Sequence, residues 1–302
     1  MITVRQIDRL WTSKAYEKLF RELLPPQAPA VLNFDDARVR SLAKELSLVV
    51  GFSVRGAAGA ALSAEQVHSD LSGVRFRLRT AAPLDVGLVE VQSPLIGAHN
   101  VENLLAAIGL LAGSGVPLRE VVRVVAECPG APGRLERVPD RGGRVVLVDY
   151  AHTDDALARV LDAIRAAAAP RIVCVFGCGG DRDRGKRPLM GEAAGQRADL
   201  VVATSDNPRT EDPLAILAEI EPGLARSGKT RLDPRHARMG LGGYCIVPDR
   251  KEAIALALRC ARSGDAVLIA GKGHEDYQIV GKDKRPFDDR IEARRALEEI
   301  SR

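Results

Sequence analysis

The second half of this chain repeats one pattern, a short apolar run followed by an amphipathic stretch of helical period. The four runs, each rich in β-branched residues, are Val145–Asp149, Ile172–Phe176, Leu200–Ser205 and Ala266–Ala270. Continuous apolar runs of this length are typical of parallel strands covered on both faces, with helices as the crossovers. The pattern predicts a doubly wound (Rossmann-like) α/β domain with a mostly parallel sheet.

The intervening stretches carry helix start signals. An aspartate or a proline stands shortly before each apolar-periodic segment, and these residues favour the first turn of a helix. We therefore predict helices at Ala156–Ala168, Leu214–Ile220 and Glu252–Arg262.

Each of the four predicted strands is followed by a polar cluster. The clusters are Asp149-Tyr150-Ala151-His152, Gly177–Asp183, Asp206-Asn207-Pro208-Arg209 and Gly271–Asp276. In an open α/β sheet, ligands bind just beyond the carboxyl ends of the parallel strands. We therefore expect the four clusters to converge on one crevice and to form an active site.

The first half has a different pattern. Val74–Arg79 alternates strictly between apolar and polar residues, as does Gly87–Val91, which indicates half-exposed antiparallel strands. Helical periodicity follows at Val101–Ala112 and Leu118–Ala126. The segment Cys128–Gly133 is then rich in Pro and Gly, which marks a domain boundary. We place this boundary near residue 132, with domains at 1–132 and 133–302.

The bulk composition argues against several classes of partner. The chain has 44 basic and 40 acidic residues, a net charge of +4, which is too small to indicate a nucleic-acid or membrane partner. Its five cysteines are scattered and form no C-x-x-C pair, which fits a reducing cytoplasm. The first residues, Met1 to Trp11, lack the apolar core of a signal peptide, and no run has membrane length. We therefore expect a cytoplasmic protein.

Two segments resemble nucleotide-binding motifs. Gly177–Asp183 fails the dinucleotide pattern G-x-G-x-x-G, because Arg182 stands where the third glycine is required. Gly223–Thr230 matches the P-loop pattern G-x-x-x-x-G-K-[ST] in every position. A working P-loop follows a buried strand and opens a helix, whereas this segment follows a predicted helix. A P-loop NTPase is therefore a disfavoured alternative.

The strand-end clusters together offer a complement for a zwitterion. Arg182 and Arg209 can each bind a carboxylate bidentately, the Asn207 amide offers donors and an acceptor, and Glu275 can hold an ammonium group. His152 and His274 are either structural or catalytic. Neither histidine has a serine or cysteine partner in a recognisable nucleophile motif, so covalent side-chain catalysis is not indicated.

Taken together, these residues resemble the Mur ligase family, most closely its members that add meso-diaminopimelate. The resemblance covers roughly residues 17 to 300. It rests on Val31–Asp36, Gly97–Asn103, Pro132–Glu136, the four strand-end clusters and Phe287–Arg290.

The resemblance implies roles for individual residues. Those that would bind diaminopimelate are Arg182, Asp206, Asn207, Pro208, Arg209, Gly271 and Glu275. Those that would contact ATP are Asn100, Asn103, Arg134 and Asp149. The candidate catalytic residues are Arg134, Asp149 and His152, and no residue is assigned as a metal ligand.

The resemblance also implies a reaction. ATP, with Mg²⁺, phosphorylates the carboxylate of UDP-N-acetylmuramoyl-L-alanyl-D-glutamate, and the amine of meso-diaminopimelate attacks the acyl phosphate to form an amide. Lysine-adding relatives do not keep the Asn-Pro-Arg motif intact, which implies that lysine is rejected. A folate polyglutamylating ligase would share the architecture, but it is not expected to carry this motif. We expect a monomer without nucleic-acid or membrane partners.

This sequence departs from the family pattern near its beginning. The family's uridine-nucleotide domain and its Gly-Lys-Thr P-loop have no counterpart here, so residues 1–132 are expected to be a partial central ATPase domain. Tyr16 stands where the family has a carbamylated lysine that binds magnesium, with Lys14 nearby but out of register. A non-catalytic amino-acid-binding fragment of such a ligase is therefore an alternative to a ligase that turns over.

Overall fold

The computed structural model describes residues 29–82, 84 and 87–301, and these form two compact units. In the described residues the first unit extends to His68 and then takes in Arg75–Ser93 and Ala98–Glu127. The second unit contains Ser69–Val74, Pro94–Gly97 and everything from Cys128 onward. Tyr16 and Lys14, where the resemblance places a modified lysine, lie outside the described residues.

The first unit is built on a five-stranded sheet in the order β1-β2-β3-β4-β5. Its strands are β1 (Ala30–Asn33), β2 (Val49–Ser53), β3 (Leu62–Asp70), β4 (Gly73–Thr80) and β5 (Leu88–Ser93). β1, β2 and β3 are parallel to their neighbours. Residues 71–72 join β3 to β4 and residues 81–87 join β4 to β5, connections too short for a parallel crossover, so these pairs are antiparallel.

The helices of this unit are short α1 (Ala37–Leu42), continued by a 3₁₀ turn at Ala43–Glu45, then α2 (His99–Gly113) and α3 (Leu118–Glu127). α2 packs on β1 and β2 through buried side chains that include Leu105 and Ile108. The alternation predicted for Val74–Arg79 is confirmed, since exposed and buried residues alternate along β4. The parallel strands β1 and β2 were not predicted.

The second unit is built on a six-stranded sheet in the order β10-β9-β8-β11-β7-β6. Its strands are β6 (Glu136–Val138), β7 (Val145–Asp149), β8 (Ile172–Phe176), β9 (Leu200–Ala203), β10 (Gly243–Ile246) and β11 (Ala266–Ala270). All neighbours are parallel except β6, which is antiparallel to β7. A separate antiparallel hairpin follows, made of β12 (Tyr277–Val280) and β13 (Asp283–Pro286).

Helices cover both faces of this sheet. They are α4 (Asp154–Ala166), α5 (Lys186–Arg197), α6 (Pro213–Arg226), α7 (Pro234–Arg238), α8 (Arg250–Cys260) and α9 (Asp289–Ile300). One apolar core joins alternate strand residues to α4, α5 and α6, and the other joins the remaining strand residues to α7, α8 and α9. The predicted doubly wound α/β fold is confirmed.

Most of these helices start on a side-chain cap. Thr153, Asp212, Asp249 and Asp288 each accept a hydrogen bond from a backbone N–H in the first turn of α4, α6, α8 and α9. Such caps satisfy N–H groups that have no partner within the helix. Because each capping residue lies in the connection that leads from the preceding strand, the caps also fix where the polar loops turn into helices.

The prediction for α6 was too short. The helix continues past Ile220 and through Pro222 to Arg226. A proline in a helix interior removes a hydrogen bond and favours a break, but tertiary packing holds the last turn here. Leu224 is fully buried, and a Cβ at Gly223 would lie 1.8 Å from the Pro188 carbonyl oxygen of α5, so the two helices touch through their backbones.

A fully buried ion pair ties several elements of this unit together. Arg250, the first residue of α8, donates from Nε and Nη2 to the two carboxylate oxygens of Asp289, the first residue of α9, each at 2.8 Å. Both side chains are 0% exposed. Arg250 also donates to the carbonyl oxygens of Ser205, after β9, and Ala270, at the end of β11.

We expect Arg250→Met to lower the free energy of unfolding of the second unit by about 3–5 kcal/mol, because it leaves the Asp289 carboxylate buried without its cation. Urea unfolding followed by circular dichroism measures the change. The control is Arg226→Met, which removes an exposed ion pair with Glu192 and should change stability by less than about 1 kcal/mol. Equal effects of the two substitutions would contradict the role given to Arg250.

Candidate functional site

The four polar clusters meet at the carboxyl edge of the six-stranded sheet, as the sequence predicts. The Gly180 N–H donates to the Asn207 carbonyl oxygen (2.9 Å), which joins the loops after β8 and β9. The Gly271 N–H donates to the Asp149 carbonyl oxygen (3.0 Å), which joins the loops after β11 and β7. The Asn207 side chain reaches Glu275, which joins the β9 and β11 loops across β8.

The loops after β8 and β9 approach each other at backbone distance. A Cβ at Gly180 would lie 1.9 Å from the Pro208 carbonyl oxygen, so no larger residue fits. A Cβ at the neighbouring Gly179 would lie 2.9 Å from Arg209 Nη1 and 3.7 Å from Arg182 Cγ. The two arginines therefore flank one glycine, on the same side of the loop. Arg182 is exposed and Arg209 is half-buried.

Arg209 is held in a left-handed backbone conformation, with φ at 52°. Its Nη1 donates to the Gly180 carbonyl oxygen at 2.7 Å. Its backbone pairs with the β12–β13 hairpin, because the Arg209 N–H donates to Ile279 O and the Gly281 N–H donates to Arg209 O. Positive φ at a non-glycine residue costs free energy and persists where surrounding contacts hold it, commonly at functional sites.

A buried polar network links the β9 and β11 loops. Asn207 Oδ1 accepts from the Ile279 N–H (2.9 Å) and from Lys272 Nζ (3.2 Å), and Asn207 Nδ2 donates to Glu275 Oε2 (3.0 Å). Lys272 Nζ also donates to Glu275 Oε2 at 3.2 Å. Asp206 is buried beside Gly271, and its carbonyl oxygen accepts from the Gln278 side chain.

A second ionic cluster contacts the backbone of the Gly177–Asp183 loop and helps to hold it in place. The buried guanidinium of Arg187 contacts Glu211 and Glu219, each at 2.8 Å, and donates to the Gly179 carbonyl oxygen. Glu211 also accepts from the Asp181 N–H. The Arg187 hydrogen bond, together with the Asp181 N–H, lowers the pKa of Glu211 to about 2.

The loop after β7 also lies at the carboxyl edge of the sheet. It carries a cluster of aromatic and cationic side chains. The Asp149 carboxylate accepts from the Leu135 N–H and the Ala151 N–H, each at 2.8 Å, which fixes the loops that carry Arg134 and His152. The Arg134 guanidinium lies 5.3 Å from the Tyr150 ring centroid. The rings of His152 and His274 lie 4.6 and 5.3 Å from the same ring.

His152 has a defined orientation. Its Nδ1 lies 2.8 Å from the Tyr150 carbonyl oxygen, which can only accept, so Nδ1 donates. In the neutral ring, Nε2 is then the nitrogen with the lone pair. His152 is exposed at the site edge, so its Nε2 has the chemistry of a proton acceptor.

The remaining candidates for ATP contact lie in the first unit. Asn100 and Asn103 stand on one face of α2, and Asn103 Nδ2 donates to Asn100 Oδ1 at 2.9 Å. The structure thus brings together the two asparagines, and separately Arg134, Asp149 and His152 in the second unit. Among residues 29–82, 84 and 87–301, no group of three or more His, Cys, Asp or Glu side chains has the arrangement of a metal site.

The P-loop alternative is wrong. Gly223–Arg226 is the last turn of α6, and Ser227 caps its carboxyl end. Helix carboxyl ends present carbonyl oxygens and the negative end of the helix dipole, which repel phosphate. Lys229 instead donates to the Asp199 carbonyl oxygen.

Cys178 lies in the loop after β8. Burial raises the pKa of its thiol to about 12, which disfavours the thiolate form that a nucleophile needs.

Three features of the site were missed from the sequence. Lys272 lies inside the Gly271–Asp276 cluster but has no predicted role, and Arg187 is not among the predicted site residues. The β12–β13 hairpin was not predicted at all. The placement of a lysine between two glycines directly after a buried strand could have indicated Lys272.

Comparison with known proteins agrees with this geometry. The model of the Mur ligase glutamate ligase domain matches residues 133–273, and that of the Mur ligase middle domain matches residues 5–111. A UDP-N-acetylmuramoyl-L-alanyl-D-glutamate–2,6-diaminopimelate ligase of Geobacter metallireducens is 43% identical in an alignment 305 positions long, gaps included, which covers 98% of this chain and 58% of the relative. The chain belongs to the Mur ligase family.

Other Mur ligases extend the comparison. A relative of the same name from Trichormus variabilis is 45% identical, over 89% of this chain and 51% of its own length. A solved structure of a 2,6-diaminopimelate ligase has a TM-score of 0.68 and 38% identity, covering 91% of this chain and 54% of that one. This chain therefore spans between half and three fifths of these relatives.

More distant structures share the fold alone. A folylpolyglutamate synthase from Thermotoga maritima has a TM-score of 0.56 at 17% identity, covering 77% of this chain and 48% of that one. Fold similarity at this level does not fix the substrate, which depends on the residues of the site.

We expect Glu211→Gln to destabilise the second unit at pH 7 but not near pH 2. The folded-state pKa of Glu211 is lowered from 4.5 to about 2, so its stabilising effect is complete above pH 4.5 and is lost as the pH falls towards 2. Thermal unfolding of wild type and variant between pH 2 and pH 7 measures the difference. A difference in Tm that stays constant over this range would contradict the ion-pair role.

Proposed function

We propose that this chain takes part in peptidoglycan precursor synthesis, as the amino-acid-binding part of an ATP-dependent ligase that adds meso-diaminopimelate to UDP-N-acetylmuramoyl-L-alanyl-D-glutamate. The observation that carries the proposal is the site at the sheet edge. The side chains of Arg182 and Arg209 flank Gly179, and in the same set of loops the Glu275 carboxylate is held against the Asn207 amide. The names of the relatives support the same substrates.

The site has the charges that diaminopimelate requires. This amino acid has two carboxylates and two ammonium groups. Arg209 and Arg182 supply cations for the carboxylates, and Glu275 supplies an anion for an ammonium group. Asp206, Pro208 and Gly271 shape the wall between them, because Asp206 is buried against Gly271 and the Pro208 carbonyl oxygen is packed on Gly180.

Mur ligases are ATP-dependent ligases that generally need Mg²⁺. We propose that Asn100 and Asn103 contact ATP from the first unit and that Arg134 and Asp149 do so from the second. Arg134 is exposed beside the Tyr150 ring, which suits an anionic group with an aromatic neighbour. We assign no residue of this chain to Mg²⁺.

In the proposed reaction, phosphoryl transfer and amide formation use different residues of the chain. ATP converts the substrate carboxylate into an acyl phosphate, which the uncharged amine attacks, and a tetrahedral intermediate collapses to the amide with release of phosphate. The guanidinium of Arg134 stabilises charge on the transferred phosphoryl group. His152 Nε2 is the candidate acceptor for the amine proton, and Asp149 acts by fixing the loops of both residues.

The division of the chain at residue 132 is part of the same proposal. Residues 1–132 would belong to the central ATPase domain and residues 133–302 to the amino-acid-binding domain. The family match that starts at residue 133 supports this boundary. In the described residues no helix has the length and apolarity needed to cross a bilayer. We propose a monomer acting in the cytoplasm, without nucleic-acid or membrane partners.

A non-catalytic diaminopimelate-binding fragment is the second candidate, because the chain spans only 58% of its Geobacter relative. The two readings differ in ADP formation when the chain is given ATP, Mg²⁺, the UDP-linked dipeptide and meso-diaminopimelate. A ligase releases ADP over many turnovers only when the amino acid is present, because the acyl phosphate is otherwise not consumed. A binding fragment gives heat on titration with diaminopimelate but no ADP.

We expect Arg209→Ala to weaken meso-diaminopimelate binding by about 10- to 150-fold, because one charge-assisted hydrogen bond contributes about 1.5–3 kcal/mol. The preference over lysine should fall with it, since lysine has no second carboxylate. Calorimetric titration with both amino acids measures this.

The matched control is Arg184→Ala. It removes an equal charge from the neighbouring loop, which follows β8, but Arg184 pairs with Glu219 at 2.5 Å and lies outside the proposed site. Its affinity should stay within about twofold of wild type, as for other screened surface charges. Wild-type affinity in Arg209→Ala would contradict the proposed substrate.

A further inference from the structure

Lys272 is the most deeply buried cation of the strand-end clusters. It lies two residues after the end of β11, and its side chain is 0% exposed. A buried ammonium group is costly unless it has partners, since burial removes its hydration. Here Nζ lies 3.2 Å from Asn207 Oδ1, 3.2 Å from Glu275 Oε2 and 5.5 Å from the Tyr277 ring centroid. Two of these partners are residues of the proposed diaminopimelate site.

The contacts determine the orientation of the Asn207 amide. Lys272 Nζ and the Ile279 N–H are both donors, and both point to Oδ1. A flipped amide would place its NH₂ group against two donors, so the flipped form is excluded. Nδ2 therefore faces Glu275 with one hydrogen and has the other for a substrate carboxylate.

The same contacts determine which oxygen of Glu275 is available. In the described part of the chain, Lys272 and Asn207 both donate to Oε2. Oε1 is then the oxygen left for a substrate ammonium group. Lys272 thus presents one donor from Asn207 and one acceptor from Glu275 side by side, which is the complement of an α-amino acid end with its carboxylate and its ammonium group.

We propose that Lys272 is a positioning residue for substrate specificity: it holds Asn207 and Glu275 in the orientation that binds one amino-acid end of diaminopimelate. The inference rests on the proposed function. Lys272 touches no substrate itself in this scheme, because its donors are directed to the two side chains that do. Removing it would leave Asn207 Oδ1 with the Ile279 N–H as its remaining donor in the described residues, and Glu275 with one fewer donor.

The Tyr277 ring supplies a matched control. Lys284, on β13, lies over the same ring at 3.7 Å from its centroid, but it is exposed and is in no contact with Asn207 or Glu275 in the described residues. Lys284→Met removes an equal charge and a closer cation–π contact to the same ring. It therefore tests whether the ring contact or the amide and carboxylate contacts matter.

The experiment is calorimetric titration of the full chain with meso-diaminopimelate. Lys272→Met should weaken binding by at least about tenfold, while Lys284→Met should stay within about twofold of wild type. If Lys272 acts through Asn207, the two effects are not independent. In an Asn207→Ala background, Lys272→Met should therefore cost less than about threefold.

The outcomes separate this inference from the proposed function. Wild-type protein that does not bind meso-diaminopimelate refutes the proposed function. Wild-type protein that binds, with Lys272→Met within twofold of it, or with effects of Lys272→Met and Asn207→Ala that multiply in full, refutes the positioning role alone. Thermal unfolding checks that each variant is folded.

If Lys272→Met does not fold, Lys272→Gln replaces it with the same expected loss, because its amide can donate hydrogen bonds but lacks the positive charge that pairs with Glu275. Lys272→Arg, which keeps the charge and several donors, should bind more tightly than Lys272→Gln. Loss of the fold in both neutral variants would also overturn the proposal, since it would assign Lys272 to the stability of the domain.

Discussion

The candidate site depends on contact between the loops that follow two strands which are not neighbours in the sheet. β9 and β11 are separated by β8 in the sheet, yet the loops that follow them carry Asn207 and Glu275, whose side chains are 3.0 Å apart. Arg250 explains how these ends are held together. Its guanidinium donates to a carbonyl oxygen at the end of each strand region, and its charge is balanced by Asp289 at 0% exposure. One buried group thus fixes two strand ends and two helix starts.

Backbone contact replaces side-chain packing where the loop before β6 meets the loops after β7 and β11. A Cβ at Gly133, where φ is 68°, would lie 2.2 Å from the His274 backbone nitrogen, so this position requires glycine for both space and conformation. The close crossing brings the Arg134 loop against the cluster that contains Lys272 and Glu275. Geometry at the amino-acid site and geometry at the Arg134 cluster are therefore linked through rigid backbone, without an intervening side chain.

The sequence predicted the central strands well because their physical signal is strong and local. Val145–Asp149, Ile172–Phe176 and Ala266–Ala270 were predicted to the residue, since a parallel strand buried on both faces must be apolar throughout. β1, β2 and the β12–β13 hairpin gave no such signal. Gly51 interrupts the apolar pattern of β2, although the strand itself is continuous, and every residue of β13 is exposed. Their pairing is decided by tertiary contacts, which single-sequence periodicity does not contain.

The sequence predicted the location of the site better than it predicted the contacts between the residues of the site. The rule that ligands bind at the carboxyl ends of parallel strands brought Arg182, Asn207, Arg209 and Glu275 to one edge. This rule could not predict which of the residues are buried and which are exposed. Nothing in the letters of the Gly271–Asp276 cluster tells that Lys272 is buried and His274 exposed, because that difference arises from how the β12–β13 hairpin covers the β9 loop.

The burial of the cations assigns different physical roles to them. Arg182 is exposed, and in the described residues its guanidinium donates to the adjacent Asp181 carbonyl oxygen, so its interaction with a carboxylate is screened by water and salt. Arg209 is half-buried and Lys272 is fully buried, and interactions of buried charges are screened far less. On the proposed function, discrimination between amino acids that differ by one carboxylate comes mainly from the inner residues, and the outer arginine contributes a weaker, screened attraction to a carboxylate.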